Sequence, residues 1–194
     1  GHAYTVTVAT QSVTAAALNA VNAATTVNVT ATAVTNITGT RTQLATTYGG
    51  GIAGLGDETI TVSDANITST QANTIDGYTT AAVTATISTT AIADLDDLSG
   101  TGNAYTITVA DSAVTAAALN AVNAATTVNV TATAVTTITG TAAQLATTYG
   151  GGITGLGNET IVLTDTTLAA ATLTPTVNNY SSVAINANSV ETLT

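Results

Sequence analysis

Asp94, Asp96 and Asp97, in the segment AIADLDDLSG at residues 91–100, form the densest acidic group in this 194-residue sequence and its candidate site for calcium. Calcium takes six to eight oxygen ligands, and these three carboxylates supply the right atom type. Their spacing follows neither the EF-hand loop nor the Gly-Gly-x-Gly-x-Asp nonapeptide, so a solvated corner is the competing reading. The glycines at 49–51, 54 and 56 invite a phosphate cradle. That motif needs a Lys after its last glycine, and the chain contains one Arg and no Lys. Turn formation is the better use of these glycines. Catalysis has fewer parts still: His2 is the single histidine, there is no Cys, and Arg41 becomes Ala142 in a duplicated segment. A nucleophile, a base and an orienting group cannot be assembled from that set by ordinary means, so the sequence predicts a protein that is not an enzyme.

The charge balance narrows the partners. Eleven acidic residues against one basic residue give a net charge of −10, which disfavours nucleic acid, and no apolar run is long enough to read as a membrane span. The core must be built from Val, Ile, Leu and Ala, because Phe, Trp, Met and Cys are absent. Such side chains pack well on strand surfaces and fill a wide interior poorly, which favours a thin, layered structure. Thr is the commonest residue, at 49 of 194. On exposed strands, pairs such as Thr5/Thr7, Thr59/Thr61, Thr84/Thr86 and Thr106/Thr108 would present rows of hydroxyl and methyl groups, the kind of surface that binds ice. The plainer explanation is the high strand propensity of Thr.

The elements that must position these groups follow from repetition. A pattern Val-x-Val-x-x-x-x-Val, with Ile, Leu or Ala as substitutes, starts at residues 6, 27, 60, 85, 107, 128, 161 and 183. At a larger scale, residues 3–64 align without a gap on residues 104–165, and 50 of the 62 positions are identical. Alternating Thr and Val at residues 5–8 predicts a strand. Thr14 is placed to cap a helix in AAALNAVNAA, residues 15–24, and Gln43-Leu44 and Gln144-Leu145 begin a second helix that the following glycines stop. Strands this far apart suit parallel crossovers better than tight hairpins. Residues 42–58 and 143–159 lengthen two of the pattern intervals and read as matching insertions. Asp64, Asp111 and Asp165 each follow a strand, where an Asp side chain can accept from backbone N–H groups in a turn.

The stretch VTAAALNAVNAATTVNVTATAVTTITGTAAQLATTYGGGITGLGNETIVLTD resembles the tandem-repeat modules of giant secreted bacterial surface and adhesin-like proteins, over roughly two thirds of the chain. The resemblance implies an extracellular structural or adhesive array, and it supplies no catalytic residues.

Together these features predict a mainly β fold, a parallel β-solenoid of about eight coils with short helical returns and coil geometry like that of leucine-rich repeats. Residues 1–100 would form a first module and residues 101–194 a second, stacked in one continuous solenoid. The expected function is a structural repeat module of an extracellular or cell-surface matrix or filament protein. It would self-associate or meet neighbouring modules through the solenoid ends, without membrane insertion. The alternative is a ligand-binding module on the same scaffold, for calcium, carbohydrate or ice.

Overall fold

A computed structural model describes residues 2–173, 177–183 and 185–194. In chain order its elements are β1 Ser12–Thr14, α1 Ala15–Ala24, β2 Asn36–Gly39, α2 Arg41–Gly49, β3 Thr59–Val62, α3 Ser69–Asp76, β4 Val83–Thr86, α4 Ile92–Leu95 and β5 Ala104–Thr106. There follow β6 Ala113–Thr115, α5 Ala116–Ala124, β7 Val130–Thr131, β8 Thr137–Gly140, α6 Ala142–Gly150, β9 Ile153–Thr154 and β10 Thr160–Leu163. The last are β11 Thr167–Leu168, α7 Ala170–Leu173, β12 Ile185–Asn186 and β13 Thr192–Leu193. The chain divides into two compact units, Gly1–Ser88 with Ser99–Tyr105, and Thr89–Leu98 with Thr106–Thr194. The division is thus interleaved, where the repeat alone suggests a single cut after residue 100.

In the first unit the sheet order β1-β2-β3-β4-β5 follows the chain, and β1 to β4 pair in parallel. Val13, Ile37, Ile60 and Val83 stand in one register row, 23 or 24 residues apart. The last three of these are fully buried and form the core face of the sheet. Helices α1 and α2 return the chain between neighbouring strands and bury Ala15, Leu18 and Leu44. The local causes are those expected of good helices. Thr14 caps α1 by accepting from the N–H of Ala17, while Thr40 and Gln43 form a reciprocal capping box at the start of α2.

The second unit repeats this plan. Its four-stranded parallel sheet has the order β12-β10-β8-β6, with the row Val114, Ile138, Ile161 and Ile185 on its core side. Thr115 caps α5, and Thr141 with Gln144 boxes α6. Two short parallel pairs, β7 with β9 and β11 with β13, complete the described sheet structure.

The architecture corrects the expected mainly β solenoid of about eight coils. Among the described residues, seven helices are found, 30% is helical against 26% in strands, and the strands form separate parallel sheets of five, four, two and two, so the fold is α/β. Two physical reasons explain the difference. The Ala-rich returns, expected as short helical connections, are strong helix formers with proper caps and become packed helices of 10 and 9 residues, α1 and α5. The strands also pair in a different phase from the repeated pattern: Val13 pairs with Ile37 and Ile37 with Ile60, so the last position of one occurrence lies in a row with the first position of another. The supposed insertions vanish with that shift. Residues 42–58 and 143–159 carry most of α2 and α6, which are regular members of the helix set.

Candidate functional site

The most elaborate polar cluster in each unit surrounds one buried glutamate. Glu58 is fully buried beside Ile60 of β3. Its carboxylate accepts from the Tyr48 hydroxyl at 2.9 Å and from the N–H of Gly56 at 2.9 and 3.0 Å. Tyr48 projects from the end of α2 and stacks on Tyr78, with ring centroids 4.9 Å apart. The second unit reproduces the cluster: Glu159 is fully buried, Tyr149 donates to it at 2.8 Å, Gly157 donates at 2.9 Å, and Tyr149 stacks on Tyr180 at 4.7 Å. Burial pushes the Tyr48 and Tyr149 hydroxyls well above the ordinary tyrosine range, reinforced by the hydrogen bond and negative charge of their glutamates. The hydroxyls therefore stay protonated donors.

This geometry disposes of the phosphate-cradle reading. The N–H of Gly56, the group such a cradle would aim at an anion, is engaged by the protein's own Glu58 carboxylate. Gly54 serves close packing: its φ is +84°, and a Cβ there would lie 3.0 Å from the backbone nitrogen of Thr32. The sequence reading overlooked Glu58 and Glu159. An available signal was internal, since the tyrosine and glutamate recur in both halves at the same spacing while the adjacent Asp57 becomes Asn158.

The three post-strand aspartates act at longer range than a local turn. Asp64 accepts from the N–H of Arg41 at 2.6 Å, Asp111 from that of Ile92 at 2.7 Å, and Asp165 from that of Ala142 at 2.8 Å. Each of those N–H groups belongs to the first residue of a helix, α2, α4 or α6, that precedes the aspartate in sequence by about twenty residues. A carboxylate placed there satisfies an orphan donor and complements the helix dipole. Asn19 and Asn120 make similar links, each donating to a Gln carbonyl and accepting from a buried Thr hydroxyl of the neighbouring helix.

The calcium candidates are not gathered into a ligand shell. Asp94 lies in the first turn of α4, Asp96 is the residue that ends it, Asp97 follows, and all three are exposed. Among the described residues no group of three or more His, Cys, Asp or Glu side chains is placed to hold a metal ion. His2 is exposed against Tyr4, and Arg41 is exposed at the start of α2. No helix among the described residues is long and apolar enough to cross a membrane.

The Thr surface is real but differently composed. Thr14, Thr38, Thr61 and Thr84 stand in one register row on the opposite side of the first unit's sheet from the Val/Ile row. Of the expected pairs only Thr61 and Thr84 enter it. The corresponding row of the second unit runs Thr115, Thr139, Val162 and Asn186, so its hydroxyls stop halfway. The chain matches no protein-family model, and no curated protein or solved structure matches it either.

Proposed function

We propose that this chain is a structural repeat module of an extracellular bacterial surface, matrix or filament protein, working as a spacer or adhesive stalk and catalysing no reaction. One observation carries the proposal: the polar side chains with the most specific geometry, Glu58, Asp64, Asn19 and their counterparts in the second half, spend their hydrogen bonds on neighbouring parts of the same repeat. Groups arranged this way rigidify a scaffold and leave little to orient a substrate. The acidic surface, almost free of basic residues, suits a solvated exterior with no nucleic-acid partner. The test is immunogold labelling and protease shaving of intact source cells with an antibody to the chain. Surface label lost on shaving supports the proposal, and label confined to the cell interior overturns it.

The Thr row of the first unit favours a second reading, a ligand-binding module for carbohydrate or ice, with calcium the third candidate ligand. Glycan arrays, thermal hysteresis and calcium calorimetry separate the readings, because a pure spacer is silent in all three.

A further inference from the structure

The two halves of the sequence are nearly identical, yet the same residues are covered in one half and open in the other. Tyr4 is 54% exposed and its counterpart Tyr105 is 0% exposed. Val13 and Val21 are half-buried, whereas Val114 and Val122 are buried. Ala104-Tyr105-Thr106 forms β5, but the identical Ala3-Tyr4-Thr5 forms no strand.

The covered versions show what the open face lacks. In the first unit β5 lies beside β4, and Asn103 accepts from the N–H of Val83 at 2.8 Å while donating to Asp76 at 2.7 Å. In the second unit α4 packs along α5, and Ile92, Ala93 and Asp96 wall a groove over Ala113, Val114 and Ala118. The equivalent hollow of the first unit, over Ser12, Val13 and Ala17, has no such wall among the described residues.

The complementary surface also occurs in this chain. Val83 of β4 and Ile185 of β12 hold the same place, each in register with an equivalent isoleucine, Ile60 or Ile161. Tyr78 and Tyr180 likewise make the same stack. Strand β4 has β5 as its outer neighbour, whereas among the described residues β12 ends its sheet, with Val183 beside it 45% exposed. An open strand edge presents unpaired backbone groups that a further strand can satisfy.

We infer that the open edge at Tyr4 docks head to tail on the β12 edge of a second copy of this chain, with Ala3-Tyr4-Thr5 taking beside β12 the place that β5 takes beside β4. This rests on the structural-module reading and gives it a defined joint. The two surfaces differ, so the contact is heterologous and propagates into open chains of copies. With every copy carrying a charge of −10, added salt strengthens the association by screening.

The test is sedimentation of the 194-residue chain over a concentration series, alone and as Tyr4→Glu and Val183→Glu. Both positions are exposed, so circular dichroism should match the wild type. The wild type is expected to grow in mass with concentration, and each variant to associate at least tenfold more weakly. An equimolar mixture of the variants should stop at a 1:1 dimer, because each retains one intact face. As a second measurement, the chain has no cysteine, so oxidation of Ala3→Cys mixed with Val183→Cys should yield heterodimers in excess of either homodimer. A wild type that stays monomeric at millimolar concentration, variants without effect, or homodimers in excess overturn the inference. Surface labelling of source cells is unaffected by those results, so loss of this joint and loss of the structural-module proposal are distinguishable.

Discussion

Replacing Gly39 with Ala should destabilise the first unit, and replacing Ala15 with Gly in the same chain should add no further loss. Gly39 ends β2 directly beneath the first residue of α1, and a Cβ built on it would stand 2.6 Å from the Ala15 Cβ. Comfortable carbon contacts lie at about 3.5–4.0 Å, so roughly 1 Å must be found by moving a helix against its sheet. Overpacking of this kind costs about 1–3 kcal/mol. Ala15→Gly alone loses about 0.8 kcal/mol of buried methyl and up to about 1 kcal/mol of helix propensity. If the two effects were independent, the double variant would be about 2–5 kcal/mol less stable than wild type. Because the methyl is moved across the contact and not added, the expected double loss is about 1–2 kcal/mol, a favourable coupling on the order of 1–3 kcal/mol. Urea titration followed by circular dichroism measures all four corners of the cycle. The second unit offers a replicate, since Gly140 meets Ala116 at 2.8 Å. A Gly39→Ala chain within about 0.5 kcal/mol of wild type, or a double variant no better than the sum, would refute the close-packing argument.

Tyr149→Phe removes the hydroxyl donor to the buried Glu159 carboxylate, leaves it the Gly157 N–H, and should cost about 1–3 kcal/mol in urea titration. Alkaline titration should show a related effect. Tyr48, Tyr105 and Tyr149 are all raised above the unfolded value of 10.0, so their contribution is complete below about pH 10 and is lost as pH climbs toward their folded values. Melting temperature should therefore fall from about pH 10 upward, with ionisation at 295 nm delayed in the folded chain; melting that is flat to pH 12 would count against the buried donors. Asp165→Ala removes the acceptor at the start of α6 and should cost about 1 kcal/mol, while exposed Thr164→Ala should cost little by the same measurement.

Several local features were legible without coordinates because they depend on neighbours in sequence. Thr14 was recognisable as a cap from the Ala-rich run behind it, and Gln43-Leu44 signalled α2, which begins two residues earlier at Arg41 because Thr40 and Gln43 form its capping box. Glycines closing α2 and α6 were equally plain. The phase of strand pairing was not legible. Val-x-Val at residues 6 and 8 looks like Ile-x-Val at residues 60 and 62, yet only the latter lies in the main sheet row with Ile37. Spacing alone cannot choose among rows of similar β-branched residues, because every choice buries chemically equivalent side chains. The burial of Glu58 was hidden for a related reason: a carboxylate enters a core only when other groups satisfy it, and the Tyr48 hydroxyl reaches it only once α2 has folded back toward β3.

By itself, then, the sequence determined the duplication, the Val/Ile and Thr alternation, the helix caps and the scarcity of groups for catalysis, all of which are properties of composition and short-range order. Tertiary structure decided that Asp94, Asp96 and Asp97 lie dispersed on an exposed turn, that Asp64, Asp111 and Asp165 serve helices about twenty residues away, and that nearly identical faces are open at Tyr4 and closed at Tyr105. Identical residues met different neighbours in the two halves, and exposure is a property of the neighbours.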